Sequence, residues 1–147
     1  MFKVDTYATH LPILAWAARQ NRFHVPLEYG SGFYSTAIIQ ALRGESVEPD
    51  GLWCKQLQTI YPRIIHINDW EPKKQYSFIL VDSSPEETRS EFVKKYQHLS
   101  TLWILHDAVS DWEHIYRYEP LKRLFNYNKT VGQFPQTLIL SQTEINI

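Results

Sequence analysis

The strongest constraint on this chain is a rhythm. Short segments that read as strands, most of them apolar, recur at Phe23 to Tyr29, Glu45 to Glu48, Ile64 to Ile67, Tyr76 to Val81 and Leu102 to Leu105, with helical periodicity in the intervals. Runs this continuously apolar belong to strands buried on both faces, which means a parallel sheet with crossover helices. Parallel crossovers are right-handed, so the sheet is doubly wound. Two last strands, Asn126 to Gln133 and Thr137 to Leu140, have only Phe134-Pro135-Gln136 between them and must pair as an antiparallel hairpin. The expected fold is α/β: a mostly parallel seven-stranded sheet with a C-terminal antiparallel hairpin and helices on both faces.

The helices carry their own punctuation. Leu11, Leu14, Ala15 and Ala18 predict a leading helix over about 9–20, with Pro12 in its first turn. Ser35 is expected to cap a second helix, closed by Gly44, and Asp50 a third. Ser84-Pro85-Glu86-Glu87 reads as a capping box opening a fourth helix. A last helix over about 111–124 should kink at Pro120.

Composition bounds the function. A chain of 147 residues is one domain's worth, taken here as 1–147. The net charge of -1 gives no indication of a nucleic-acid partner. Cys54 is the single cysteine, so neither a disulfide framework nor a cysteine-rich zinc site fits within one chain. No apolar run is long enough to span a membrane, and Met1 to Asp5 lacks the pattern of a secretory leader. A reducing cytoplasm is the expected compartment. Aromatic residues reach 14%, more than the core of so small a sheet explains.

A doubly wound sheet binds its ligand outside the carboxyl ends of the strands. Glu28, Glu48, Asp69, Asp82 and Asp107 all fall at such ends, so five carboxylates are expected on one edge. Gly30-Ser31-Gly32-Phe33-Tyr34-Ser35 follows the first strand and opens a helix, the placement of a nucleotide-binding turn. Glu48 stands 20 residues after Glu28, where an acid can accept from a ribose diol. Two residues oppose NAD: Ser35 occupies the third glycine position, and Glu28 would repel a pyrophosphate. A cationic nucleoside without phosphate, S-adenosylmethionine (SAM), fits these residues better.

Pro26 to Ser35 resembles the first motif of class I SAM-dependent methyltransferases. Val47-Glu48-Pro49-Asp50 is similar to their second acidic motif, and Asp69-Trp70 to the strand end that contacts adenine. Ile79 to Asp82 is similar to the fourth-strand motif, and Ile104 to Asp107 to the fifth. The resemblance spans about residues 9–141. It implies that SAM is bound by Glu28 (ammonium), Gly30 and Gly32 (methionyl part), Glu48 (ribose), Pro49 and Trp70 (adenine ring) and Asp69 (adenine amino group). It places Asp82 where methyl donor meets acceptor. The expected activity is methyl transfer to an oxygen or nitrogen acceptor, small or exposed on a macromolecule. The alternative is a methyltransferase-like module that binds SAM, or a protein partner, without catalysis.

Several features depart from that family. The connection from Asn68 to Gln75 is too short for the usual helix and should leave one face of the sheet less covered. No cap domain defines an acceptor pocket, which leaves Tyr7 to His10 and the loop from Asp107 to Tyr118. His106 and Asp107 are the expected base candidates beside Asp82, with His10 as another. Arg89 is expected on a helix surface, or else orienting Asp82. Asp82 and Asp107 could suit an oxygen-ligated cation, but Ala108 stands where metal-dependent relatives carry Asn, and no metal is expected. The uncapped edge and many rings are compatible with a homodimer.

Overall fold

A computed structural model describes residues 8–73 and 75–147, so Tyr7, named above for the acceptor edge, lies outside the described residues. Seven strands among them form one sheet: β1 (Leu27–Tyr29), β2 (Glu45–Glu48), β3 (Ile65–His66), β4 (Ile79–Val81), β5 (Leu102–Leu105), β6 (Tyr127–Val131) and β7 (Thr137–Ser141). Their order is β3-β2-β1-β4-β5-β7-β6, parallel through β5, with β7 antiparallel to both β5 and β6. The chain order reverses between β1 and β4, and the polar ends of both strands open there. No helix among the described residues is long and apolar enough to cross a membrane.

The two-residue alternation of strands sorts the core into two layers. Phe78, Leu80, Ile104 and Ile139 face α1 (Leu11–Gln20) and α2 (Ser35–Ala41), where Ile13, Leu14, Ala17 and Ile39 meet them. Leu27, Tyr29, Ile79, Val81, Trp103 and Leu105 face the other way. There they pack on Phe92 and Val93 of α4 (Thr88–Tyr96) and on Tyr116 of α5 (Glu113–Tyr116). Between them α3 (Gly51–Gln58) is capped by Asp50, whose carboxylate accepts from the N–H groups of Leu52 and Trp53 as expected.

Several local expectations are corrected. Ser35 does not cap α2; it is its first residue, and no side chain caps that helix. Arg43, not Gly44, takes the left-handed conformation after α2; a Cβ on Gly44 would lie 2.6 Å from the Pro26 carbonyl oxygen. The capping box at Ser84 does not form: α4 begins at Thr88, and residues 84–87 stay in turns, with the Thr88 hydroxyl donating to the Pro85 carbonyl. The helix expected over 111–124 breaks at Arg117 rather than Pro120, into α5 and a 3-10 segment, Glu119–Leu124. Arg117 adopts φ 53° there, and Tyr118 is thereby buried against β5's end.

The short connection after β3 does not leave its face bare. Trp70 is 7% exposed and Tyr76 1%, both within the layer that holds Phe92. The Trp70 indole meets the Tyr96 ring edge-on at 5.3 Å. Glu45 ties this cover down, accepting from the Tyr76 hydroxyl at 2.6 Å and the Trp70 indole N–H at 3.2 Å, and pairing with Lys73 at 2.8 Å. Two aromatic side chains thus fill the place of a helix. Trp70→Ala should cost about 3–5 kcal/mol in urea unfolding, whereas Phe23→Ala, at a site 95% exposed, should stay within about 0.5 kcal/mol.

Candidate active site

The turn after β1 is shaped by the backbone beside it. Gly30 has φ 94°, and a Cβ there would lie 2.3 Å from the Cα of Ser83. Only glycine lets β1's end pass so close to β4's end. Gly32 differs: its φ is ordinary and a Cβ would meet nothing closer than the Ser35 hydroxyl at 3.6 Å. The protein's own packing does not demand its bareness, and Gly32 lines the larger cavity described below.

The N–H groups of this turn are already engaged. Gly30 donates to the Val47 carbonyl at 2.8 Å, Ser31 to Glu48 at 2.7 Å and Gly32 to the Thr36 hydroxyl at 3.0 Å. Thr36 in turn donates to Glu28 at 2.7 Å. Glu28 is fully buried beneath the turn and reaches it through Thr36 rather than facing either cavity. Burial pushes its pKa up to about 7, against the hydrogen bonds it accepts.

Glu48 accepts one N–H on each oxygen, from Ser31 and from Asp50 at 2.8 Å. Burial raises its pKa in spite of these bonds. With Ser31, Asp50, Trp53, Asp82 and Ser84 it lines a cavity of about 210 Å³. Pro49 is half-buried beside it. The remaining expected residues sit apart. Asp69 is exposed in a 3-10 turn, Ile67–Asp69, and lines neither cavity. Trp70 is in the core with its N–H on Glu45, so its ring is committed to packing.

The ends of β4 and β5 hold a buried charge cluster. Arg89, 4% exposed, reaches in from α4. It pairs with Asp82 at 3.1 Å and Asp107 at 3.2 Å, and donates to the carbonyls of Ser83 and His106. The Tyr116 ring lies under its guanidinium, 4.6 Å to the centroid. Asp107 adopts φ 58°, which turns its carboxylate back toward Arg89 and His106. Tyr118 donates to the His106 carbonyl at 2.9 Å.

His106 occupies the centre. Its Nδ1 lies 3.3 Å from Asp82 and 3.2 Å from Asp107. Its Nε2 lies 3.0 Å from the Thr9 hydroxyl, whose own proton goes to the Pro135 carbonyl at 3.1 Å. A Thr9 hydroxyl that donates to Pro135 can accept from Nε2, and Nδ1 faces two carboxylates, so these contacts favour the charged ring. Burial opposes that charge, but Asp82 and then Asp107 outweigh it and raise the His106 pKa. Asp82 is likewise opposed by burial yet held below its ordinary value by His106 and Arg89. His106 is thus held between two carboxylates that favour its charged form, where the sequence reading expected a free base.

His10 is its counterpart. The two rings meet edge-on, with centroids 4.5 Å apart. His10 is 2% exposed, and neither ring nitrogen has a hydrogen-bond partner among the described residues. Burial first, then His106, pushes its pKa down to about 4. Both histidines, with Asp82, Arg89 and Asp107, line a cavity of about 730 Å³. Six rings form much of the remaining wall: Phe33, Tyr34, Trp53, Trp112, Tyr116 and Phe134. Part of the aromatic excess therefore belongs to this edge.

No protein-family model and no curated protein matches the chain. Solved structures do. A METTL16 methyltransferase domain superposes with a TM-score of 0.56 at 12% identity, over 97% of this chain and 71% of that one. A human methyltransferase 10 domain containing protein gives 0.55 at 11%, over 96% and 86%. The N-terminal domain of human METTL16 in complex with SAH gives 0.55 at 8%, over 98% and 73%. The fold is the class I SAM-dependent methyltransferase fold.

Within this methyltransferase fold, Arg89 and Thr9 are the residues that sequence reasoning undervalued or missed. Thr9 lies 97 positions from its partner His106, and no local pattern announces it. Arg89 stands seven residues after Asp82 on a helix that otherwise shows charged residues to solvent.

Two predictions follow from the cluster. Arg89→Lys should destabilise the protein by about 3 kcal/mol in urea unfolding, because one ammonium cannot serve both carboxylates. His10 should make stability fall on acidification. An unfolded histidine protonates near 6.5, but the folded site refuses the proton until about 4. Its contribution is thus whole above about pH 6.5 and lost as pH falls toward 4. Unfolding free energies measured across that window should drop more for the wild type than for His10→Gln. The His106 contribution runs the other way, being lost as pH rises through its raised pKa.

Proposed function

We propose that this protein is a SAM-dependent methyltransferase acting on an oxygen or nitrogen acceptor held in the aromatic-walled cavity. The observation that carries this reading is the state of the glycine turn. Its three N–H groups are spent on Val47, Glu48 and Thr36, so none is offered to a pyrophosphate, while Gly32 leaves a bare wall beside two buried carboxylates. That environment suits a cationic, phosphate-free nucleoside and disfavours a dinucleotide. The human METTL16 domain of the same fold is described in complex with SAH.

The residues present fit such a ligand. Glu48 keeps lone pairs beyond the two N–H groups it accepts, and would take the ribose hydroxyls at the small cavity. Gly30 and Gly32 would pass the methionyl part, with Glu28 shaping that turn from below through Thr36. Pro49, half-buried next to Glu48, would border the adenine; Asp69 reaches it only from the exposed rim, and Trp70 serves the core. SAM supplies an electrophilic methyl on a sulfonium, so the protein's share is chiefly proximity and orientation.

Asp82 lines both cavities, at the junction of donor and acceptor. One of its oxygens is held by Arg89 and His106, which fixes the carboxylate and leaves the other to receive an N–H or O–H from the acceptor. Asp107 and His106 act as positioning groups for Asp82. The wall of rings would stack a flat acceptor.

Calorimetry with SAM, SAH and NAD tests the reading. SAM and SAH should bind below millimolar and NAD should not; Glu48→Ala should lower SAH affinity at least about tenfold, on the scale of a lost charged hydrogen-bond acceptor. NAD binding with no sulfur-nucleoside binding would overturn it. A transfer assay against pooled metabolites, peptides and nucleic acid separates an enzyme from a binding module, and Asp82→Asn should abolish transfer while leaving the SAH heat in place.

A further inference from the structure

His10, Asp82 and His106 come from three separate parts of the chain: the leading segment, the end of β4 and the end of β5. Each offers a ligand atom, and these atoms all lie within 4.8 Å of one another. We infer that they form a site for one late first-row divalent cation of the Zn²⁺ type, open to the larger cavity.

The donor set selects the ion. Two imidazoles and one carboxylate suit Zn²⁺ and its neighbours, whereas Mg²⁺ and Ca²⁺ want oxygen ligands. The absence of an Asn after Asp107 therefore bears only on an oxygen site, not on this one. The distance from His106 Nδ1 to Asp82 Oδ1, 3.3 Å, is close to the separation of two ligands on a tetrahedral ion with bonds of about 2.0–2.1 Å.

His10 supplies the independent observation. It is almost wholly buried, neither nitrogen has a hydrogen-bond partner among the described residues, and it lines the cavity. A buried polar group left unpaired is costly unless something meets it. Here the ring edge is within reach of two groups that already converge. Outer contacts that would orient the ligands are also in place. Thr9 holds His106 through Nε2, and Arg89 holds Asp82. Asp82 and Asp107 set two negative charges against the one guanidinium of Arg89, and an incoming cation would take the place of any proton on His106 Nδ1 between them, releasing that proton to water.

Three protein ligands leave a coordination position facing the cavity. An acceptor oxygen bound there would lose its proton more readily, which names the acceptor class as a hydroxyl or enol that can ligate a metal. That role rests on the methyl-transfer reading; the binding of the ion does not.

The test uses the full chain, stripped with chelator, titrated with Co²⁺ as a spectroscopic probe and with Zn²⁺ in a calorimeter. One equivalent should bind, Co²⁺ should show the intense visible bands of a four- or five-coordinate site, and His10→Gln and Asp82→Asn should each weaken binding at least about tenfold. Urea unfolding establishes that each variant is folded, and His10→Ala serves if the Gln variant is not. Absence of visible Co²⁺ bands together with no Zn²⁺ binding tighter than about 100 μM, or one-equivalent binding that is unchanged in folded His10 variants, would overturn the assignment. SAH titrated into the same samples is read separately, so loss of nucleoside binding and loss of metal binding are told apart.

Discussion

The structure depends on a guanidinium set between two carboxylates. Arg89 sits almost without exposure between Asp82 and Asp107, the residues that end two adjacent parallel strands. Like charges so close at a sheet edge would repel one another. Arg89 pairs with both, and His106 Nδ1 bridges the same two carboxylates, which favour its charged form. A buried ion pair gains little net stability over an apolar core, but removing one partner is costly. The cluster is therefore better understood as a device that specifies one arrangement of the edge. It ties α4 to β4 and β5, turns Asp107 into a left-handed conformation, and buries Tyr118 against the His106 carbonyl.

That arrangement explains how the described residues wall a cavity at the sheet edge. The break at Arg117 lets Tyr116 pack beneath Arg89 and Tyr118 pass behind His106. The hairpin turn contributes Phe134 and Pro135, and the Pro135 carbonyl receives the Thr9 proton. Leading segment, both central strand ends and the terminal hairpin thus converge on one histidine. On the far side of the sheet edge, Trp70 and Tyr76 spare the chain a helix by packing their rings on the same layer as Phe92.

The site was legible in parts. The alternation of strand and helix, the acid at each strand end and the glycine turn are local patterns, and they set the edge on which a ligand sits. Gly30, Gly32, Glu48 and Asp82 meet there as their spacing suggests. Trp70 did not follow its neighbour Asp69 because one residue separates an exposed turn from a buried face, and nothing in the dipeptide shows where the chain turns back. His106 looked like a base because its type and place suit one; its raised pKa follows from the paired carboxylates, and its Nε2 meets Thr9 across a long stretch of chain.

The sequence by itself determined the class of fold, the parallel course of the first five strands, the pairing of the last two as a hairpin, and the edge that carries the polar residues. These depend on periodicity and on connection length, which act between near neighbours. Only the tertiary structure decided what those polar residues are. Packing makes Glu28 a strut, sets one histidine between carboxylates that favour its charge, buries the other away from any hydrogen-bond partner among the described residues, and draws Arg89 from a helix surface into the centre. Charge state is set by desolvation and by the nearest opposite charge, and both are properties of packing that no local pattern encodes.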